Sequence, residues 1–273
     1  MTSELKKRIG TGIVGVAALV ALIVFVGKIG VFLIVTVLSL GMVFEYAEMS
    51  LALPDRVEKR YLLLVITWFI SLFDLFIPQV EFALLVFSFM GLFSYFLWTA
   101  KRYEGAQFSN HFKELGLCFF GVIYLAFLPQ YLRKIFELPQ GLKWTLLFLI
   151  IVWCGDTGAY FAGKKFGKKK LYPEISPKKT REGALGGLLA GVVAAVLFKL
   201  FFLKSGSTIG VILLAAMVGV VAQIGDLCES FLKRAFQVKD SGSILPGHGG
   251  FLDRFDAIIF SLPVMYAGIR IFG

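Results

Sequence analysis

The stretch Thr208-Ile-Gly-Val-Ile-Leu-Leu-Ala-Ala-Met-Val-Gly-Val-Val-Ala-Gln-Ile-Gly-Asp-Leu-Cys-Glu229 decides the fold. It runs from 208 to 225 without a charge and then meets two carboxylates, Asp226 and Glu229. At 1.5 Å per helical residue, a run of about twenty apolar residues crosses a ~30 Å hydrocarbon core. Similar runs recur along the 273-residue chain, which is 58% hydrophobic and 17% charged. A soluble protein would carry about 25% charged residues. The composition therefore excludes a soluble globular domain. It predicts an all-α, polytopic integral membrane protein with about nine transmembrane helices, at 9–27, 29–51, 61–78, 81–100, 112–132, 142–162, 183–203, 208–229 and 254–272.

The lysines and arginines orient these spans. With the N-terminus cytoplasmic and the C-terminus outside, 21 of the 28 basic residues fall on the inner side, as the positive-inside rule requires. Met1–Arg8 is a short basic head before a span-length run that lacks a small-residue cleavage site, so the first span is expected to stay in the membrane. The net charge of +10 then sets topology and meets anionic lipid or phosphate; nucleic acid is not an expected partner. Cys118, Cys154 and Cys228 fall in apolar runs and are expected to be packing residues. No eukaryotic targeting extension is present, and a bacterial plasma (inner) membrane is the expected location.

Charge is sparse before residue 153 and dense after it. Residues 1–135 thus read as a transmembrane scaffold whose apolar spans would suit a homodimer interface. Residues 136–273 read as the catalytic region, with loops 163–182 and 230–253 on the cytoplasmic side.

Beyond Glu229 the chain continues Ser230-Phe-Leu-Lys-Arg-Ala-Phe-Gln-Val-Lys-Asp-Ser-Gly-Ser-Ile-Leu-Pro-Gly-His-Gly-Gly-Phe-Leu-Asp-Arg-Phe-Asp256. Asp226 and Glu229 share a helix face at three-residue spacing, and Asp253 and Asp256 repeat it. Hard oxygen ligands of this kind suit Mg²⁺ in a phosphate-handling site. Interfacial salt bridges to Lys233, Arg234 and Arg254 would explain the same residues. Lys239 extends the cationic rim, and Gly247, Gly249 and Gly250 around His248 permit close backbone approach to an anion. His111 has no such neighbours.

The loop at 163–182 holds Lys164, Lys165, Lys168, Lys169 and Lys170, a match for anionic lipid. Its Ser176-Pro-Lys-Lys-Thr180 segment is more particular: Ser176, Thr180, Lys178 and Lys179 could clamp a nucleoside triphosphate, although no P-loop pattern occurs. Asp156 lies about 20 Å along its helix counted from Leu142. An acid at that depth marks a functional site or a structural pair with a neighbouring lysine.

The run 230–256 resembles the signature of the phosphatidate cytidylyltransferase (CDP-diacylglycerol synthase) family. Ser230, Lys233, Arg234, Lys239, Asp240, Gly242, Pro246, His248, Gly249, Gly250, Asp253, Arg254 and Asp256 meet its fixed positions. Asp156-Thr-Gly-Ala-Tyr160 and Ser176–Gly183 agree as well, except that Arg181 stands where the family commonly has an aromatic residue. The resemblance is sharp from about 153 to 260. It implies a membrane enzyme that joins CTP and phosphatidic acid to give CDP-diacylglycerol and pyrophosphate. For that reaction the expected catalytic set is Asp226, Lys233, Arg234, Lys239, Asp240, His248, Asp253, Arg254 and Asp256, of which Asp226 comes from its spacing to Glu229 and not from the signature. Asp226, Asp253 and Asp256 would hold Mg²⁺, alone or with a second cation. Ser176, Lys178, Lys179, Gly249 and Gly250 would bind the nucleotide, and Asp156 would line the cavity for the lipid headgroup.

Two other classes compete. A CDP-alcohol phosphotransferase would need the pattern D-G-x2-A-R…G-x3-D-x3-D, which is absent. A membrane transporter with an intramembrane acidic site would explain Asp156, but not a charge-dense Gly-His-Gly-Gly loop.

Overall fold

The computed structural model describes residues 20–52, 55–77, 80–203, 206–242, 244 and 249–273. Among them the fold is all-α apart from one two-stranded hairpin. Seven helices are long and apolar enough to cross a membrane. An eighth, Arg56–Phe76, is as long but carries Arg56, Glu58, Lys59 and Arg60 at its start and Asp74 near its end, and it is not among the seven. Of the expected span at 9–27, only the end is described; there Leu22–Val26 form a π-helical turn.

The chain divides into two compact units. Among the described residues, the first holds those up to Gln130 together with Asp240–Leu252. Its helices are α1 (Lys28–Ser50), α2 (Arg56–Phe76), α3 (Glu81–Thr99) and α4 (Gly105–Gly121). The expected span at 112–132 is the middle of a longer helical segment that starts at Gly105 and changes to π-helix at Val122–Phe127. Pro129 gives the reason. It has no N–H for the Leu125 carbonyl and its ring crowds that carbonyl, so regular α-helix cannot continue. The buried Gln130 side chain donates to the Ala126 carbonyl (2.9 Å) and to Ser71 Oγ (3.0 Å).

Two of the polar residues buried in this unit show how tertiary contacts meet them. Lys59 is 3% exposed, pairs with Glu114 and lies over the rings of Phe96 and Tyr103. His111 stacks on Tyr103 and lies within hydrogen-bond distance of the Phe96 carbonyl (3.0 Å). Its place is structural, in keeping with a histidine that has no chemical company in sequence.

The second unit comprises Tyr131–Lys239 and Asp253–Gly273. It contains α5 (Tyr131–Glu137), α6 (Gly141–Phe166), β1 (Lys170–Tyr172), β2 (Ser176–Thr180), α7 (Arg181–Phe202), α8 (Thr208–Ala235) and α9 (Leu252–Phe272, in this unit from Asp253). Both polar loops are shorter than expected, because α6 runs on to Phe166 and α8 to Ala235. Lys164 and Lys165 in the last turn of α6, and Lys233 and Arg234 in that of α8, complement the negative helix ends.

Helices α6 and α7 meet along a seam of small residues. A Cβ on Gly187 would lie 2.7 Å from the Gly155 carbonyl oxygen, and one on Gly158 or Gly186 would strike Ala190 or Ala162. Small residues allow this backbone approach where lipid offers no hydrophobic drive for association. The antiparallel β1–β2 hairpin joins the two helices, with Lys170 opposite Thr180 and Tyr172 opposite Ser176. Thr180 then caps α7, its Oγ1 accepting from the Gly183 N–H at 3.1 Å. Glu182 accepts the N–H groups of Lys168 (3.0 Å) and Lys169 (3.2 Å), which ties the lysine-rich turn to the start of the helix.

Gly187→Val should therefore destabilise the protein by about 1–3 kcal/mol through overpacking. Gly91→Ala, where an added Cβ meets nothing within 4 Å, should be neutral or stabilising by about 0.5–1 kcal/mol. Thermal unfolding of the two variants in detergent checks the contrast.

Candidate active site

The site grows from the last turns of α8. Asp226 and Glu229 lie one helical turn apart, and Lys233 follows Glu229 by four residues. Lys233 Nζ sits 2.7 Å from Glu229 Oε2 and 2.6 Å from Asp253 Oδ1. The Glu229 side chain is 2% exposed, and its Oε1 is buried with no hydrogen-bond partner among the described residues. One ammonium thus joins the end of α8 to the start of α9. A buried carboxylate without such a partner would be heavily penalised.

Asp226 turns to the other side and pairs with Lys179 of β2. This contact links the hairpin to α8. Arg234 adds a second link, its Nε donating to the Ile175 carbonyl at 3.4 Å. Gln223 donates to the Ala184 carbonyl at 3.0 Å and fixes α8 against the start of α7.

Two cavities flank Asp226. The larger, about 470 Å³, is lined by Asp156, Tyr160, Gly163, Lys164, Leu171, Lys178, Lys179, Thr180, Gln223 and Asp226, among others. The smaller, about 180 Å³, is lined by Trp153, Asp156, Asp226, Asp253, Arg254 and Asp256 with Val152, Ala257 and Ile258. Asp156 and Asp226 belong to both. The first cavity therefore carries Lys178 and Lys179 on its β2 side and Lys164 together with Asp156 on its α6 side, whereas the second gathers four carboxylates and one guanidinium. Asp256 is 8% exposed; Asp156 is open to the cavities.

The structure thus brings together Asp156, Lys178, Lys179, Asp226, Lys233, Asp253, Arg254 and Asp256. Both readings of the acids have a counterpart: salt bridges hold Asp226 and Asp253, and the same residues line an acidic cavity. Ser176 pairs with Tyr172 at the far end of β2 and lines neither cavity. Lys239 is exposed. Asp240, Gly249 and Gly250 belong to the first unit; Asp240 is exposed, while Gly249 has φ +80° and Gly250 is buried against Ser241 and Glu45. His248 lies outside the described residues. A salt bridge from Glu229 to Lys233 is one of the two readings the sequence offers, and it is present, but Glu229 is not in the expected catalytic set. Sequence reading missed Gln223, Tyr160 and Glu182, which carry no spacing signal of their own.

The fit of a metal ion can be judged from the donors. Among the described residues, no three His, Cys, Asp or Glu side chains stand close enough together to hold an ion unaided. The smaller cavity nevertheless offers only hard oxygen donors besides Arg254 and backbone. Mg²⁺ uses one or two carboxylates and completes its shell with waters and substrate phosphates. The donor set fits that ion, and substrate oxygens would complete it.

Fold and site together define a polytopic helical membrane protein with a cation-flanked cavity beside an acidic one, the arrangement of an enzyme that handles phosphate groups in the membrane. The chain belongs to the cytidylyltransferase family, whose sequence profile matches residues 6–272, and the chemistry of that class is nucleotidyl transfer. It is 36% identical over 282 residues to a phosphatidate cytidylyltransferase of Bacillus subtilis, covering 98% of this chain and 99% of that one. The enzymes of the same name from Staphylococcus haemolyticus and Staphylococcus aureus are each 40% identical over 186 residues, or 67% of this chain and 66% of theirs.

Removing Lys233 would take away the ammonium that Glu229 and Asp253 share. Lys233→Met should cost about 3–5 kcal/mol, and adding Glu229→Gln should return part of that. Thermal or denaturant unfolding of the single and double variants measures both effects; equal stability of Lys233→Met and wild type would refute the bridging role.

Proposed function

We propose that this chain catalyses the reaction of CTP with phosphatidic acid to give CDP-diacylglycerol and pyrophosphate, as the names of its relatives suggest. The observation that carries the reading is the pair of cavities sharing Asp156 and Asp226, one flanked by Lys164, Lys178 and Lys179 and the other lined by carboxylates. A triphosphate needs the first environment, and its counter-ion needs the second. A transporter's acidic site would not need the lysine-bearing hairpin.

A phosphate oxygen of phosphatidic acid attacks the α-phosphorus of CTP. The bond from that phosphorus to the bridging oxygen breaks, and pyrophosphate leaves with the electron pair. The nucleophile is an anion near neutral pH, so no side chain has to remove a proton. Catalysis then consists of alignment and charge neutralisation. Lys178 and Lys179 hold the triphosphate from β2. Lys233, Arg234, Lys239 and Arg254 balance phosphate charge, and Asp156 borders the space for the lipid headgroup. His248, Gly249 and Asp240 remain candidates from the signature, and Ser176 a weaker one. Asp226, Asp253 and Asp256 would hold Mg²⁺, which when bound supplies positive charge to the reacting phosphates. A second cation would share the same acids.

The reading places nine spans in a bacterial plasma membrane, with the N-terminus and the site on the cytoplasmic side, the C-terminus outside, and the first unit available for a homodimer. The basic residues at 163–182 and 233–254 support that orientation. Acyl chains can then stay in lipid while CTP arrives from the cytosol, and neighbouring anionic lipids meet the lysines of the hairpin.

Purified protein given CTP, Mg²⁺ and phosphatidic acid should release pyrophosphate, and omission of any one should abolish release. Asp253→Asn should lower turnover by about 10²-fold or more while the protein stays folded. Full activity of Asp253→Asn, or release without phosphatidic acid, would contradict the reading.

A further inference from the structure

We infer that Glu45, in α1 of the first unit, is a positioning residue for nucleotidyl transfer, because its carboxylate holds the glycine loop and the first turn of the helix that carries Asp253 and Asp256. Glu45 is 2% exposed. Its oxygens accept from the Phe251 N–H at 3.0 Å, the Leu252 N–H at 3.1 Å and Ser241 Oγ at 3.2 Å. Among the described residues no lysine or arginine pairs with it. Its charge is instead met by backbone dipoles and one hydroxyl, all from the segment Asp240–Leu252.

These donors are particular. Leu252 is the first residue of α9, whose opening N–H groups have no partner within the helix and lie at its positive end. Glu45 caps that end from some two hundred residues away in sequence. Gly242 and Gly250 leave room for the carboxylate: a Cβ on either would run into Glu45, and one on Gly250 would also strike Ser241. Glycine at 250 thus serves close packing on a carboxylate, where sequence reading saw only an approach to phosphate. The ring of Phe251 packs where a Cβ on Gly41, one turn before Glu45, would sit. Asp253 is the next residue after Leu252 in the same helical turn, so the direction of this turn sets where its carboxylate starts. Glu45 itself touches no substrate in this account; it acts through the loop and the turn.

This inference rests on the proposed reaction, and its test separates the two. In Glu45→Gln an NH₂ replaces one acceptor and faces N–H donors. The folded variant should exchange the amides of Phe251 and Leu252 about tenfold faster or more, followed by hydrogen–deuterium exchange of a peptide covering 249–256. Its kcat should fall by about tenfold or more, with KM for CTP changing less than kcat. Glu45→Asp should recover part of both, and it carries the same test if Glu45→Gln does not fold. Glu114→Gln, which breaks the buried pair with Lys59 elsewhere in the unit, should lower thermal stability yet keep the kcat of folded protein. A folded Glu45→Gln with wild-type kcat, or with unchanged exchange at 251–252, overturns the inference. A wild-type protein that makes no CDP-diacylglycerol overturns the reaction instead, and the exchange comparison still reports on the contact.

Discussion

Lys233 stands between Glu229 and Asp253, and the arrangement of the second unit depends on that one ammonium. Carboxylates at the end of a membrane helix are tolerated only where a cation or a set of hydrogen-bond donors meets them. Here a single side chain meets two of them, at 2.7 and 2.6 Å, and thereby joins the end of α8 to the start of α9. Asp226, one turn away, is answered separately by Lys179 from the hairpin. These ion pairs hold the acids in place beside a cavity.

The glycine seam serves the same end by different means. Because Gly155, Gly158, Gly186 and Gly187 let α6 and α7 approach at backbone distance, the hairpin between them is short and strongly anchored. The Thr180 cap and the Glu182 hydrogen bonds then fix β2 and hold Lys178 and Lys179 at the cavity wall. Flexible lysines on a free loop would give affinity without alignment, and alignment is what a phosphoryl-transfer site supplies.

Much of this was legible in the chain itself. Uncharged runs such as 208–225 showed the helices, and the density of charge after residue 153 located the chemistry. The i, i+3 acids at 226/229 and 253/256 pointed to the cavity, although Glu229 turned out to face Lys233 and not the open site. What could not be read were the contacts set by tertiary packing. No periodicity links Glu45 to Phe251 and Leu252 across more than two hundred residues, and an isolated acid in an apolar span gives no sign of which donors it will find. Helix ends were also misjudged, because the polar residues at 163–166 and 230–235 look like loop but complement the helix termini. The π-helical break at Val122–Phe127 followed from Pro129, a local signal that an apolar-run count overlooks.

The central claim is that the bond formed lies between the lipid phosphate and the α-phosphorus of the nucleotide. It is tested most directly by supplying CTP labelled with ³²P at either the α or the γ position, with unlabelled phosphatidic acid. The account predicts that α-label moves into the chloroform-extractable lipid while γ-label leaves as pyrophosphate. Label from the γ position in lipid, or from neither position, would contradict it.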